Sequence, residues 1–182
     1  MTNSDDINFL TRPLIDAYLE TCVALMVLRI PQVQDLVGVS IPEEAVVSTS
    51  YAADHENLVI NVKGMLESMR AEGLDDVRTL QHSFRQTNRI FLGAMWDALK
   101  HQRRFDEIKT EPVVEFLRHV RNASSHGGRL NFGKLKRPAN WRDKEITESM
   151  SGTPVFPDLL QDGDPILLVV DINNDFFEPI NI

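Results

Sequence analysis

A single cysteine, Cys22, occurs in the 182 residues, which excludes a disulfide framework and any metal site built on several thiolates. Cys22 lies in the apolar stretch from Thr21 to Leu28 and reads as a buried thiol in a reducing compartment. That stretch is too short to cross a bilayer, and the opening MTNSDDINFL has no basic start followed by an apolar run. No membrane anchor or secretion is expected, and the expected location is cytoplasmic. There is no G-x-x-x-x-G-K-S/T loop, no G-x-G-x-x-G after a strand and no H-E-x-x-H, so kinases, dinucleotide enzymes and zinc proteases are disfavoured. His55, His82, His101, His119 and His126 lack the spacing of a zinc motif, and Asp162-Gly163-Asp164 reads as a turn, not a calcium loop. Neither a metal nor a cofactor is expected. Aromatic residues make up 7% of the chain and form no array that marks a base-stacking platform.

What is present is a globular composition, 42% apolar and 25% charged, on a length suited to one domain covering residues 1–182. The net charge of −8 argues against a polyanionic partner until its distribution is considered. From Arg85 to Lys144 there are 14 Lys and Arg against 6 Asp and Glu, leaving 5 against 21 elsewhere. A basic centre therefore lies between acidic flanks. It is either a solvated helical face or the electrostatic footprint for a polyanion.

Hydrophobic periodicity predicts four helices. The first runs to Leu28 from an N-cap at Thr11 with Pro13 in its first turn, and Gln32 to Ser40 reads as a loop or short helical turn. A second helix is expected from near Pro42 to Gly73, with an interruption around Ser48 to Ser50. Asp75 and Asp76 cap a third, whose stripe of Val77, Leu80, Phe84, Phe91, Met95 and Leu99 extends to about Arg104. Asn88 interrupts that stripe and must find partners or meet solvent. A fourth starts at Thr110-Glu111-Pro112 and stops at Gly127. Beyond Gly128 the helical period disappears. Ile166 to Ile172 is a continuous apolar run expected as a buried strand, with Trp141 to Thr147 as its partner. The expected fold is mainly α, a four-helix bundle over residues 8–128 with a small β-containing C-terminal extension over 129–182.

The fourth helix ends in RNASSHGG, Arg121 to Gly128. His126-Gly127-Gly128 is similar to the oxyanion loops of lipases, but without G-x-S-x-G or alternating strands and helices a serine hydrolase is disfavoured. Histidine trades protons near neutrality, making His126 a candidate general acid or base. Arginine is a fixed charged fork matched to phosphate oxygens, which assigns Arg121 to transition-state charge. Asn122 can orient the histidine or donate to phosphate. Arg118, Arg85 and Arg89 are candidate substrate-binding residues. A structural alternative pairs Arg121 with Glu115 or another surface carboxylate and leaves His126 to the helix dipole.

Arg121-Asn122-Ala123-Ser124-Ser125-His126, closing a basic helical segment, resembles the motif of the HEPN superfamily, all-helical domains of prokaryotic toxin, defence and RNA-processing systems. The resemblance implies a metal-independent endoribonuclease that dimerises to bring two motifs together, and a neutralising or regulatory protein partner. Other members of the superfamily act as non-catalytic modules binding a protein or nucleotide. In an ideal helix Arg121 and His126 lie about 140° apart, so His126 is expected beyond the last regular turn.

Overall fold

A computed structural model describes residues 5–28, 30–40, 42, 46–50, 57–61, 63–64, 67 and 77–177, and these are mostly helical with short antiparallel β pairs. The chain divides into two compact units, Met1–Thr21 with Phe84–Ile182, and Cys22–Ser83.

Helix α1, Asp5–Val27, belongs to the first unit up to Thr21. Contrary to expectation, Thr11 is not its cap: the helix already runs from Asp5 and carries Pro13 inside it. A proline there removes one backbone bond, and burial of Ile15 and Tyr18 holds the helix through it. Arg12 Nε, 3.0 Å from Asp16 Oδ1, adds an i, i+4 pair. Cys22 is only half-buried, a correction to the core thiol, because its neighbours Val23 and Met26 are about half exposed.

In the second unit, α2 spans Pro31–Ser40. The helix expected from Pro42 is instead a hairpin of β1, Val46–Ser50, and β2, Asn57–Asn61, registered from Val46 opposite Asn61 to Ser50 opposite Asn57. Val46, Val47, Thr49, Val59 and Ile60 explain the correction, since β-branched side chains fit a pleated surface better than a helix. Lys63, Gly64 and Glu67 are helical. The expectations for Val62, Met65, Leu66, Met69 and Gly73, and for the Asp75-Asp76 cap, fall outside the described residues.

The first unit is organised on α3, Val77–Lys100, which enters it at Phe84, and on α5, Pro112–Ser125. The stripe on α3 holds, with Phe91, Met95 and Leu99 buried. The helix stops at Lys100 instead of Arg104, where His101 and Gln102 turn back onto Ala98 and Leu99 at 3.2 and 3.0 Å. The short helix α4, Phe105–Ile108, then leads to α5. Asn88 is fully buried and finds its partners: Tyr18 Oη donates to its Oδ1 at 2.5 Å, and its Nδ2 lies 3.5 Å from Asp162 Oδ1.

The residues after Gly128 complete the same core, supplying Leu130, Trp141, Ile146, Val155 and Leu160 against Leu92, Phe116 and Val120. Trp141–Thr147 does not pair with a distant strand. Its start folds back as β3, Asn140–Trp141, against β4, Lys144–Glu145, because a two-residue turn brings Trp141 opposite Lys144. Arg142, at φ 54°, holds that turn by bonding Asp171 at 2.6 and 3.0 Å, and Trp141 Nε1 donates to the same carboxylate.

The second C-terminal correction is larger: Ile166 to Ile172 lies within helix α6, Asp164–Phe176. Leu168, Val169, Ile172 and Asn173 are buried while Leu167 is 40% exposed, the burial period of a helix. Asp164 and Pro165 open it, with Asp164 Oδ2 accepting from Gln161 N at 2.9 Å, and this first-turn proline was the available signal.

Candidate functional site

Arg121 stands just before the last turn of α5, which ends at Ser125. The main-chain N–H groups of His126 and Gly128 both donate to the Ala123 carbonyl, at 3.1 and 2.7 Å. Gly127 takes φ +81°, the left-handed position that ends a helix in this way. His126 is the C-cap at φ −125°, ψ 56°, outside the regular helix as expected, with an exposed side chain.

Gly128 is also left-handed, at φ +78°, and it is buried. Its Val155 neighbour donates to its carbonyl at 2.9 Å. The Arg89 guanidinium lies directly over it: a Cβ built on Gly128 would overlap Nη2 and sit 2.6 Å from Cζ. Arg89 thus meets the chain where α5 ends. Two turns further along α3, Asp97 Oδ1 lies 3.7 Å from Arg121 Nη2. These two contacts run in opposite directions along the two helices, so α3 and α5 are antiparallel here. Arg85, Arg89, Gly93 and Asp97 follow each other at i, i+4 along one ridge of α3. The space over Gly93 is open, with no heavy atom within 4 Å of an ideal Cβ.

The arginines on and facing this ridge are incompletely satisfied. Nε of Arg85, of Arg89 and of Arg121 is buried and has no hydrogen-bond partner among the described residues. Arg89 Nη1 reaches Gln86 Oε1 at 3.5 Å, and Arg121 Nη1 reaches Asn122 Oδ1 at 3.4 Å, both at the limit of a useful bond. Buried N–H groups of a cation are costly to leave unpaired, and an oxyanion matches their fork geometry.

The candidate residues therefore separate. Arg121 and Asn122 touch each other, Arg89 sits over Gly128, and His126 makes no hydrogen bond or ion pair with Arg121. Glu115 is not the partner of Arg121; Asp97 is. Arg118 belongs elsewhere: its Nε donates to Glu115 Oε2 at 2.7 Å and its Nη2 lies 3.1 Å from His119 Nε2. Arg137 Nη1 donates to the other oxygen of Glu115 at 3.1 Å. Burial, then the Arg118 charge, hold the His119 pKa below its ordinary value, against the opposing pull of Glu115. A neutral Nε2 can accept from Arg118. The sequence reading missed Asp97, Gly128 as the seat of Arg89, and the Glu115–Arg137 pair. Glu115 could have been found from its i, i+3 and i, i+4 spacing to Arg118 and His119. Arg137 is 22 residues away and left no local signal. Among the described residues no group of three or more His, Cys, Asp or Glu is arranged to hold a metal, and no helix is long and apolar enough to cross a membrane.

The chain matches no protein-family model, no curated protein and no solved structure.

Proposed function

We propose that this chain is a HEPN-type endoribonuclease of the cytoplasm, acting in a toxin or defence setting under the control of a protein partner. The observation that carries the proposal is that Arg89, seated over Gly128, and Arg121, on α5, each have a buried Nε with no partner among the described residues, near the helix end that the exposed His126 caps; Arg85, one turn before Arg89 on α3, has an unpartnered Nε as well. Cleavage by the 2′-hydroxyl forms the 2′-oxygen–phosphorus bond and breaks the bond to the 5′-oxygen, leaving a cyclic phosphate and a free 5′-hydroxyl. One histidine removes the 2′-hydroxyl proton and another protonates the leaving oxygen, while Arg121, assisted by Arg89 and Arg85, balances charge on the phosphorus oxygens. One motif per chain supplies one histidine, so a symmetric homodimer that faces two copies of α5 completes the pair. This scheme requires no metal.

A non-catalytic module that binds a protein or nucleotide is the second reading. It is favoured by the ion pair that Asp97 makes with Arg121 and by the absence of a bond between Arg121 and His126. Cleavage of a mixed RNA pool in chelator, beside equally folded His126→Ala and Arg121→Ala variants, tests the two. Activity lost in both variants supports the nuclease; an inactive wild-type chain, or equal activity in all three, refutes the assignment to this motif.

A further inference from the structure

One turn before Asn122, the same helix borders an open cleft of about 340 Å³, within the usual size range of small-ligand sites. Trp96 and Phe105 form its aromatic wall, their rings edge to face at 5.6 Å. Lys109, Lys136 and Arg137 stand around it, and Glu115 with Arg118 completes the lining. Lys109 is paired with Asp106 at 2.6 Å, which leaves Lys136, Arg137 and Arg118 against the one carboxylate of the lining, in a chain whose net charge is −8.

The charge arrangement is asymmetric in a way that points to an anion. Glu115 is buried and bonds both Arg118 and Arg137, so one carboxylate faces two guanidiniums and leaves a positive charge over. Burial and the Arg118 charge hold the pKa of His119 beside them below its ordinary value, and a histidine carries no negative charge to offset the surplus. Arg118 commits Nε and Nη2, and Arg137 commits only Nη1. Arg118 Nη1 and the Nε and Nη2 of Arg137 retain donors that make no bond among the described residues. Lys136 has no ion pair there either, and it is exposed. Buried Glu115 fixes the two arginines, and the remaining donors are available to a ligand.

We propose that this cleft is a subsite for one nucleotide of single-stranded RNA, flanking the linkage cleaved at the end of α5. The aromatic wall takes the base, and Lys136, Arg137 and Arg118 take its phosphate, the combination of stacking and backbone charge that single strands require. Position supports the link. Arg118 and Asn122 are i, i+4 neighbours on one face of α5, about 6 Å apart along the axis, and Asn122 Oδ1 contacts Arg121. A strand whose phosphate reaches Arg121 therefore has its neighbouring nucleotide within reach of the cleft.

The proposal rests on the nuclease reading, but its test does not require cleavage. The full chain is titrated into a short fluorescent 2′-O-methyl RNA, which cannot be cut, with binding read by anisotropy at several salt concentrations. Lys136→Gln, a change at an exposed side chain, is expected to lower the salt slope by about 0.7, the release of one single-strand phosphate contact. Phe105→Leu, checked for folding by thermal unfolding, is expected to weaken binding about tenfold through lost stacking. If both effects appear while the wild-type chain cuts no RNA, the subsite stands as an RNA-binding cleft and the nuclease reading falls. If wild-type protein cuts RNA but Lys136→Gln binds with unchanged affinity and slope, the cleft is not a subsite and the nuclease reading stands. Absence of any binding to the uncut strand overturns the subsite outright.

Discussion

Alanine at Gly127 and alanine at Gly128 form a matched pair of perturbations. Both glycines are left-handed, at φ +81° and +78°, so either substitution forces an L side chain into that region at about 1–2 kcal/mol. They differ in what the new Cβ meets. At Gly127 there is nothing within 4 Å, whereas at Gly128 the Cβ displaces the Arg89 guanidinium. That group is the far end of a flexible side chain, so it swings away while the backbone holds. The two variants are therefore expected to lose similar stability, within about 1 kcal/mol of each other on the strain common to both. Only Gly128→Ala removes Arg89 from its seat over residue 128. Urea unfolding measures the first quantity, and anisotropy with uncut RNA at several salt concentrations measures the second. Gly128→Ala should lower the salt slope by about 0.7 relative to Gly127→Ala. Two variants with the same slope and affinity would show that the seat of Arg89 has no part in RNA binding. A further loss of several kcal/mol in Gly128→Ala would show that the guanidinium is fixed there for stability.

Two more outcomes follow from buried polar groups. Tyr18→Phe leaves Oδ1 of the fully buried Asn88 without its donor and is expected to cost about 1–3 kcal/mol; adding Asn88→Leu should recover part of that loss, and strict additivity in the double-mutant cycle refutes the coupling. His119 has a folded pKa below its ordinary 6.5, so below that pH the unfolded chain binds the extra proton. Stability is then full above about pH 6.5 and declines as pH falls toward the folded pKa, by at most about 1.4 kcal/mol per pH unit for one proton. His119→Gln should flatten that part of the stability profile, and an unchanged profile assigns the slope to another group.

Local chemistry was readable where one stretch of chain settles its own conformation. Pro112 opens α5, Gly127 ends it, and the apolar stripe on α3 buries Phe91, Met95 and Leu99 while Leu80 and Phe84 are half-buried, because helical spacing is a property of neighbours along the chain. Asn88 was recognisable as a polar interruption for the same reason. Two segments escaped. The antiparallel pairing of Val46–Ser50 with Asn57–Asn61 depends on cross-strand partners, and pairing between strands is not encoded within either one. The run from Ile166 to Ile172 is apolar at nearly every position, so it carries no period from which to tell a strand from a helix. Exposure of Leu167 and burial of Leu168, Val169 and Ile172 arise only once the core supplies one side to pack against.

The sequence by itself determined the mainly helical class, the basic centre of the chain and the placing of RNASSH at a helix end, all consequences of composition and short-range spacing. Tertiary structure decided which charges act together. Arg89 reaches Gly128, Arg121 turns to Asp97, and Arg137 joins Arg118 on Glu115. Electrostatic partnership depends on separation in space and on exclusion of water, and neither is set by distance along the chain.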